Sequence, residues 1–216
     1  SLCSNAPVGI IDRSAVAGYG SIDKLEIYWD FQGAPSVKQT INAPSANSTY
    51  TNNYPEFGTP ATKPYRILVR AFNGPGCSTD LPQDITVLAS PKVQFTQPAP
   101  VCQEANSFIL SGATEVFGLA GSGEYSGDGV SNGEFTPILA GAGTHPVRYT
   151  YTTTNGCVDF EEKDIVVNPT PIISFGNQST INILEGDILK LNPTITYGAA
   201  YLWTPATYLK DRKSVV

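Results

Sequence analysis

Methionine is absent from this sequence, histidine occurs once, and only 15% of the residues carry charge. Each scarcity excludes something. The four cysteines, Cys3, Cys77, Cys102 and Cys157, are far apart with no CxxC pair, so no local zinc-binding set exists. The 13 basic residues are scattered apart from Lys210, Arg212 and Lys213, and the net charge is −6, which leaves no basic stripe for nucleic acid. No run approaches the roughly 18 apolar residues that a spanning helix needs. No stretch keeps an apolar i, i+3, i+4, i+7 stripe over three turns, so long helices are not expected. The chain does not open on Met and reads as an excised segment, so the lack of a signal peptide decides nothing.

What is present points to strands. Tyr, Phe, Val, Ile and Thr suit a pleated, half-buried surface, while 20 Gly and 17 Pro, with Asn and Asp, supply turns. The predicted class is all-β.

An internal repeat organises the chain. With Cys77 laid on Cys157, Gly76 falls on Gly156, Asp84 on Asp164, Ile85 on Ile165, Val87 on Val167, Pro91 on Pro171 and Phe95 on Phe175. Upstream, Ile67, Val69 and Ala71 fall on Val147, Tyr149 and Tyr151, with alternation in phase. Each copy reads as a strand (Tyr65 to Phe72; Val147 to Thr153), a turn, Cys, a polar seven-residue connection and a last strand (Ile85–Val87; Ile165–Val167). Ser90-Pro91 and Pro169-Thr170-Pro171 then read as short stiff linkers. The expected domains are 1–91, 92–170 and the opening part of a third at 171–216. Strands are expected there at Ile172 to Phe175, Ile181 to Leu184, Ile188 to Leu191 and Tyr201 to Trp203. Both ends read as cut, and self-association through the incomplete third domain is expected.

An even cysteine count in a β-rich, charge-poor chain fits an oxidising compartment. Pairing inside each domain predicts Cys3–Cys77 and Cys102–Cys157.

Chemistry finds little support. His145 aligns with Tyr65 at a strand entrance, and no nucleophile sits in a recognisable turn, so no triad is expected. The carboxylates Asp23, Glu26, Asp30, Asp128, Glu134, Glu161 and Glu162 read as solvated charges in turns and strand ends. Gly127-Asp128-Gly129 lacks the oxygen-rich run of a calcium loop. Gly118 to Gly133 lacks the helix and Lys of a phosphate cradle and reads as a long hairpin or inter-strand loop. No cofactor, metal or catalytic residue is assigned. Trp29 and Trp203 read as core tryptophans of central strands, against the competing picture of sugar-stacking platforms. The loops Asn42 to Tyr54, with Tyr50 and Tyr54, and Gly118 to Gly133, with Tyr125, are the candidate contact surfaces.

Tyr28-Trp29-Asp30-Phe31 between its flanking strands resembles the W-D-F signature of polycystic-kidney-disease (PKD) repeats, with Gln32-Gly33-Ala34 replacing the G-D-G part. The stretches Tyr125 to Pro137 and Gly141 to Cys157 are similar to Ig-like repeats of Bacteroidetes surface proteins. Tyr201 to Leu209 resembles PKD-like repeats that precede gliding-motility or type IX sorting domains. The resemblance implies tandem immunoglobulin-like (PKD-like) antiparallel β-sandwiches in a secreted or cell-surface bacterial protein, with no shared catalytic residues. The expected role is a spacer or adhesive arm; the alternative is a glycan- or other ligand-binding accessory module of a secreted hydrolase. Expected partners are surface glycans, proteins or neighbouring repeats.

Overall fold

The computed structural model describes residues 2–16, 18, 20–176, 180, 182–189, 191, 193–198, 200–202 and 213–215. Trp203 and Thr204 to Leu209 lie outside the described residues, as do Ile181 and Lys190 of the expected third-domain strands. In chain order the strands begin β1 Val8–Ile11, β2 Lys24–Tyr28, β3 Gln39–Asn42, β4 Thr49–Asn52, β5 Thr62–Phe72 and β6 Ser78–Leu88. Next come β7 Val93–Phe95, β8 Val101–Cys102, β9 Phe108–Ile109, β10 Ala113–Glu115, β11 Gly121–Gly127, β12 Val130–Ser131 and β13 Glu134–Phe135. A single turn of helix, α1 Pro137–Ala140, precedes β14 Gly143–Thr153, β15 Val158–Asn168, β16 Ile172–Ser174, β17 Thr194–Thr196, β18 Ala200–Leu202 and β19 Lys213–Val215. The fold is all-β.

The repeat materialises as two hairpins, β5–β6 and β14–β15, each of two 11-residue strands. The matched turns close alike: Gly76, after Pro75, and Gly156, after Asn155, both adopt positive φ. Asn73 N–H donates to the Cys77 carbonyl at 3.1 Å and Thr153 N–H to the Cys157 carbonyl at 2.9 Å. The polar stretch after each cysteine is not a connection but the first half of the long strand. Ser78 to Asp84 are all exposed, so no apolar alternation marks them. Pro82 is accommodated because β6 is an edge strand, where a missing N–H breaks no ladder.

By contact density the chain forms two compact units: residues 1–96, 112–125 and 148–162, and residues 97–111, 126–147 and 163–216. In the first, the sheet β3–β2–β5–β6 faces the β1–β4 pair. Ile27, Ile67 and Val87 from the larger sheet meet Val8 from the smaller, with Tyr54 and Phe57 completing the core. Inward and outward positions alternate, and the outward row of β5 and β6 carries two directly opposed ion pairs. Arg66 and Arg70 grip Asp84 and Asp80 respectively, each with two hydrogen bonds of 2.6–2.8 Å. Ser90 and Pro91 are both buried, and the Ser90 hydroxyl donates to Asn5 Oδ1 at 2.8 Å.

In the second unit Phe135 and Val167 are buried, and Phe108 packs on Phe135 with centroids 5.7 Å apart. β15 pairs with β8 in parallel, an exception to the expected antiparallel pattern. Of the expected third domain, the described residues contain two isolated strand pairs, β16–β17 and β18–β19. The positions Asn182 to Leu184 and Ile188 to Leu189 hold no strand, and Ile183, Leu184 and Ile188 are largely exposed.

The cysteine pairing differs from expectation. The disulfide joins Cys3 to Cys157, and Cys77 and Cys102 are exposed free thiols. Strand length is the reason. Cys3 lies beside Leu88, the last residue of β6, whereas Cys77 precedes its first residue. Eleven strand residues place those cysteines about 33 Å apart, far beyond the ~7 Å Cα limit of a bridge. Cys102 and Cys157 stand in the same relation to β15, since Cys102 pairs with Asn168.

Candidate functional site

β2 ends where the apolar run Leu25, Ile27, Tyr28 meets Trp29, and Asp30 then turns the chain by accepting the Gly33 N–H at 2.9 Å. Trp29 is therefore pinned at the rim of the first unit's core. It is half-buried, packs against the core cluster, and its Nε1 donates to Gln39 Oε1 of β3 at 3.1 Å. The expectation of a fully internal tryptophan is thus only half met: one part of the ring belongs to the core and the other faces a cleft.

That cleft has a volume of about 510 Å³ and is walled by Trp29, Asp30, Gln39, Asn52, Asn53 and Tyr65. Tyr54 forms its floor. Its hydroxyl donates to the Trp29 carbonyl at 2.6 Å and its ring lies 4.2 Å, centroid to centroid, from Tyr65. Burial, reinforced by the Asp30 carboxylate, pushes the Tyr54 phenol up to about 12. Tyr65 is raised for the same two reasons. Both phenols stay protonated at neutral pH, so the cleft offers phenol donors, amide groups, the Asp30 carboxylate, the Lys38 ammonium and aromatic faces. Such a set suits a neutral polyhydroxylated ligand and contains no nucleophile–base pair.

The remaining candidates fall elsewhere. Tyr50 lies on β4 rather than in a loop, half-buried against the core. Tyr125 also lies on a strand, β11, with its ring 4.7 Å from Tyr149 and 5.6 Å from Phe95 and its hydroxyl accepting the Ala113 N–H at 3.2 Å. The Gly118 to Gly133 stretch is consequently not one loop. Gly121 and Gly123 are strand residues whose missing side chains leave room for the Thr152 carbonyl and the Tyr149 hydroxyl. His145 stands at the start of β14, half-buried, with Nε2 2.9 Å from the Gly141 carbonyl, which makes Nε2 the protonated nitrogen. Among the described residues no three His, Cys, Asp or Glu side chains gather as a metal site. Likewise no helix there is long and apolar enough to cross a membrane.

Glu26 departs from the expected solvated carboxylate. It is buried mid-strand on β2, on the face opposite the core, and receives Lys38 Nζ at 2.8 Å, Tyr28 Oη at 2.9 Å and Lys24 Nζ at 3.2 Å. The Lys38 contact outweighs the cost of burial and holds this carboxyl down at about 2. Asp159 and Glu161 are structural too: their carboxylates accept the Val93 and Phe95 N–H groups at 2.8 and 2.6 Å, fixing β7.

A second cavity of about 610 Å³ opens between β1 and β6. It is apolar, with Ile11, Leu25, Val69, Leu81 and Ile85 among its lining, and Ser14 and Ala15 at one border.

No protein-family model matches the sequence, and no curated protein matches it. Among solved structures, the chain is similar to the fibronectin(III)-like modules of Clostridium thermocellum CbhA, at 15% identity and a TM-score of 0.31 over 77% of this chain and 87% of that one. It is also similar to the insect immune protein hemolin, at 12% identity and a TM-score of 0.29 over 77% of this chain and 47% of that one.

Proposed function

We propose that the chain is a non-catalytic extracellular module: tandem Ig-like, PKD-like repeats, divided near residues 91 and 170, that act as a spacer or adhesive arm of a bacterial surface protein. The observation that carries this reading is the pair of matched 11-residue hairpins with cysteines at matched ends, stapled by a bond spanning 154 residues. Ladder hydrogen bonds loaded along long strands, with a covalent closure, resist extension and proteolysis where thiols are oxidised. Single-molecule extension tests it. With the bond intact, the residues between Cys3 and Cys157 stay folded or clamped; reductant releases about 500 Å of additional contour at ~3.5 Å per residue. Identical extension with and without reductant refutes a mechanical role for the staple.

A second reading is favoured by one observation, the Trp29 cleft with its amides. There the module holds a glycan, with the sugar face on Trp29 and Tyr65 and the hydroxyls on Asn52, Asn53 and Asp30. A glycan array read against Trp29→Ala decides it: no ligand, or a ligand indifferent to the substitution, removes the reading.

A further inference from the structure

The two unbonded cysteines repeat the conformations of the two bonded ones. Cys102 copies Cys3. Each pairs in parallel with the last residue of a long strand, Asn168 or Leu88, and the next residue donates to that strand end, Gln103 to Asn168 and Ser4 to Leu88, both at 2.9 Å. Each also accepts a turn-closing N–H, from Ala105 at 3.0 Å or Ala6 at 3.1 Å. Cys77 copies Cys157, following a positive-φ glycine and accepting the N–H four residues earlier. The observed disulfide thus joins the first cysteine of one copy to the second cysteine of the copy that follows. Cys102 and Cys77 are the same two halves without their mates. Their exposure agrees, because Cys157 is fully buried within its joint while Cys77 is exposed.

A second, independent feature marks the same joint. In the second copy a strand, β7, lies between Asp159 and Glu161 on one side and β10 on the other, with Val93 and Phe95 buried. The first copy has Thr79 and Leu81 where the second has Asp159 and Glu161 and, with Cys3 laid on Cys102, Ser14 and Ala15 where it has Ala113 and Thr114. Between these residues lies the apolar cavity of about 610 Å³ rather than a strand. The repeat places β16 in register with β7, Ile173 matching Val93. Yet Ile172 and Ile173 are more than half exposed, against 7% for Val93. An apolar strand lacking cover and an apolar groove of matching type therefore coexist in one chain.

We propose that two copies of this chain join head to tail: Cys102 of one copy bonds to Cys77 of the next, and β16 of the first enters the groove between β1 and β6 of the second. The contact is heterologous, so it extends into chains unless the rotation closes. The chemistry is thiol–disulfide exchange. The Cys102 thiolate attacks glutathione disulfide and releases one glutathione; the Cys77 thiolate then displaces the second, so two thiols become one disulfide and glutathione disulfide is reduced to two glutathiones. The proposal rests on reading the chain as a repeat module.

The test mixes C77S with C102S in a glutathione redox buffer, followed by non-reducing electrophoresis and peptide mass spectrometry. Both substitutions fall on exposed residues outside the cores. The expected product is the mixed dimer through Cys102 and Cys77, exceeding either homodimer by about tenfold, the preference one specific contact of average strength supplies. Ile173→Asp in the C77S partner, which carries the entering strand, is expected to reduce that yield by about tenfold, since a charge entering an apolar groove is costly. Statistical amounts of the three dimers, absence of the mixed dimer, or a yield indifferent to Ile173→Asp each overturn the proposal. Failure with Cys3–Cys157 intact leaves the module reading standing; scrambling of Cys3–Cys157 removes both.

Discussion

Glu26→Gln is the most informative single substitution in the first unit. The carboxyl sits at about 2 against an ordinary 4.5, because two lysines and a tyrosine hydroxyl prefer it charged. At about 1.36 kcal/mol per pH decade, that depression caps its contribution to folding at about 3 kcal/mol. Lys24 and Lys38 are 34% and 39% exposed, so solvent screening reduces the expected value to about 1–2 kcal/mol. The sign follows from the depression: the contribution is complete above pH 4.5 and is lost as pH falls toward 2. Asp80 and Asp84, held low by Arg70 and Arg66, weaken on acidification as well, but they are common to both proteins and cancel in the comparison. Urea unfolding of wild type and Glu26→Gln from about pH 2 to 7 is the assay. The difference is expected to be about 1–2 kcal/mol at neutral pH and to vanish near pH 2, where protonated Glu26 resembles glutamine. A difference that stays constant across the range, or is zero at neutral pH, refutes the ion-pair account.

Ile27→Ala, at a position with no exposed surface between the two sheets, is expected to cost about 2–5 kcal/mol, read as a lowered urea midpoint with an unchanged slope. Gly123→Ala drives a methyl group into the Tyr149 hydroxyl and the edge of its ring and is expected to cost about 1–3 kcal/mol; Tyr149→Leu in the same chain, which removes both the oxygen and the ring, should recover more of it than Tyr149→Phe, which removes the oxygen alone. Cys157→Ser opens a loop of 154 residues and is expected to destabilise the first unit by up to about 5 kcal/mol in the chain-entropy account, seen as a lower melting temperature that reductant no longer changes.

The strand class and the hairpin repeat were legible because alternation and turn chemistry are local. Ile67, Val69 and Ala71 show their facing in the sequence, and Gly76 and Gly156 mark their turns. The first halves of β6 and β15 were not legible. On β6, an edge strand, side chains facing solvent carry no apolar code, and Pro82 argues against a strand unless the missing N–H is known to face outward; on β15, which lies between β14 and β8, the half-buried positions include the charged Asp159 and Glu161, which hold β7. Glu26 was misread because the face of β2 opposite the core is itself covered: Lys24 and Tyr28 lie two residues either side of it on the same strand, but the dominant partner, Lys38, reaches it only because β3 pairs with β2. The cleft was half legible: Trp29 and Tyr54 stood out by type, but Gln39 and Tyr65 join them only through the order β3–β2–β5. The cysteines carry the sharpest lesson. Each copy carries a first and a second cysteine, 74 residues apart in one and 55 in the other, and neither spacing says that the first cysteine lies at the far end of an 11-residue strand from the second. Once that length is known, a bond within either copy is sterically impossible, and the mate must come from another copy. Cys3 finds it in Cys157; by the same geometry Cys102 and Cys77 need a mate outside their own copy, and the register of the repeat assigns each to the other.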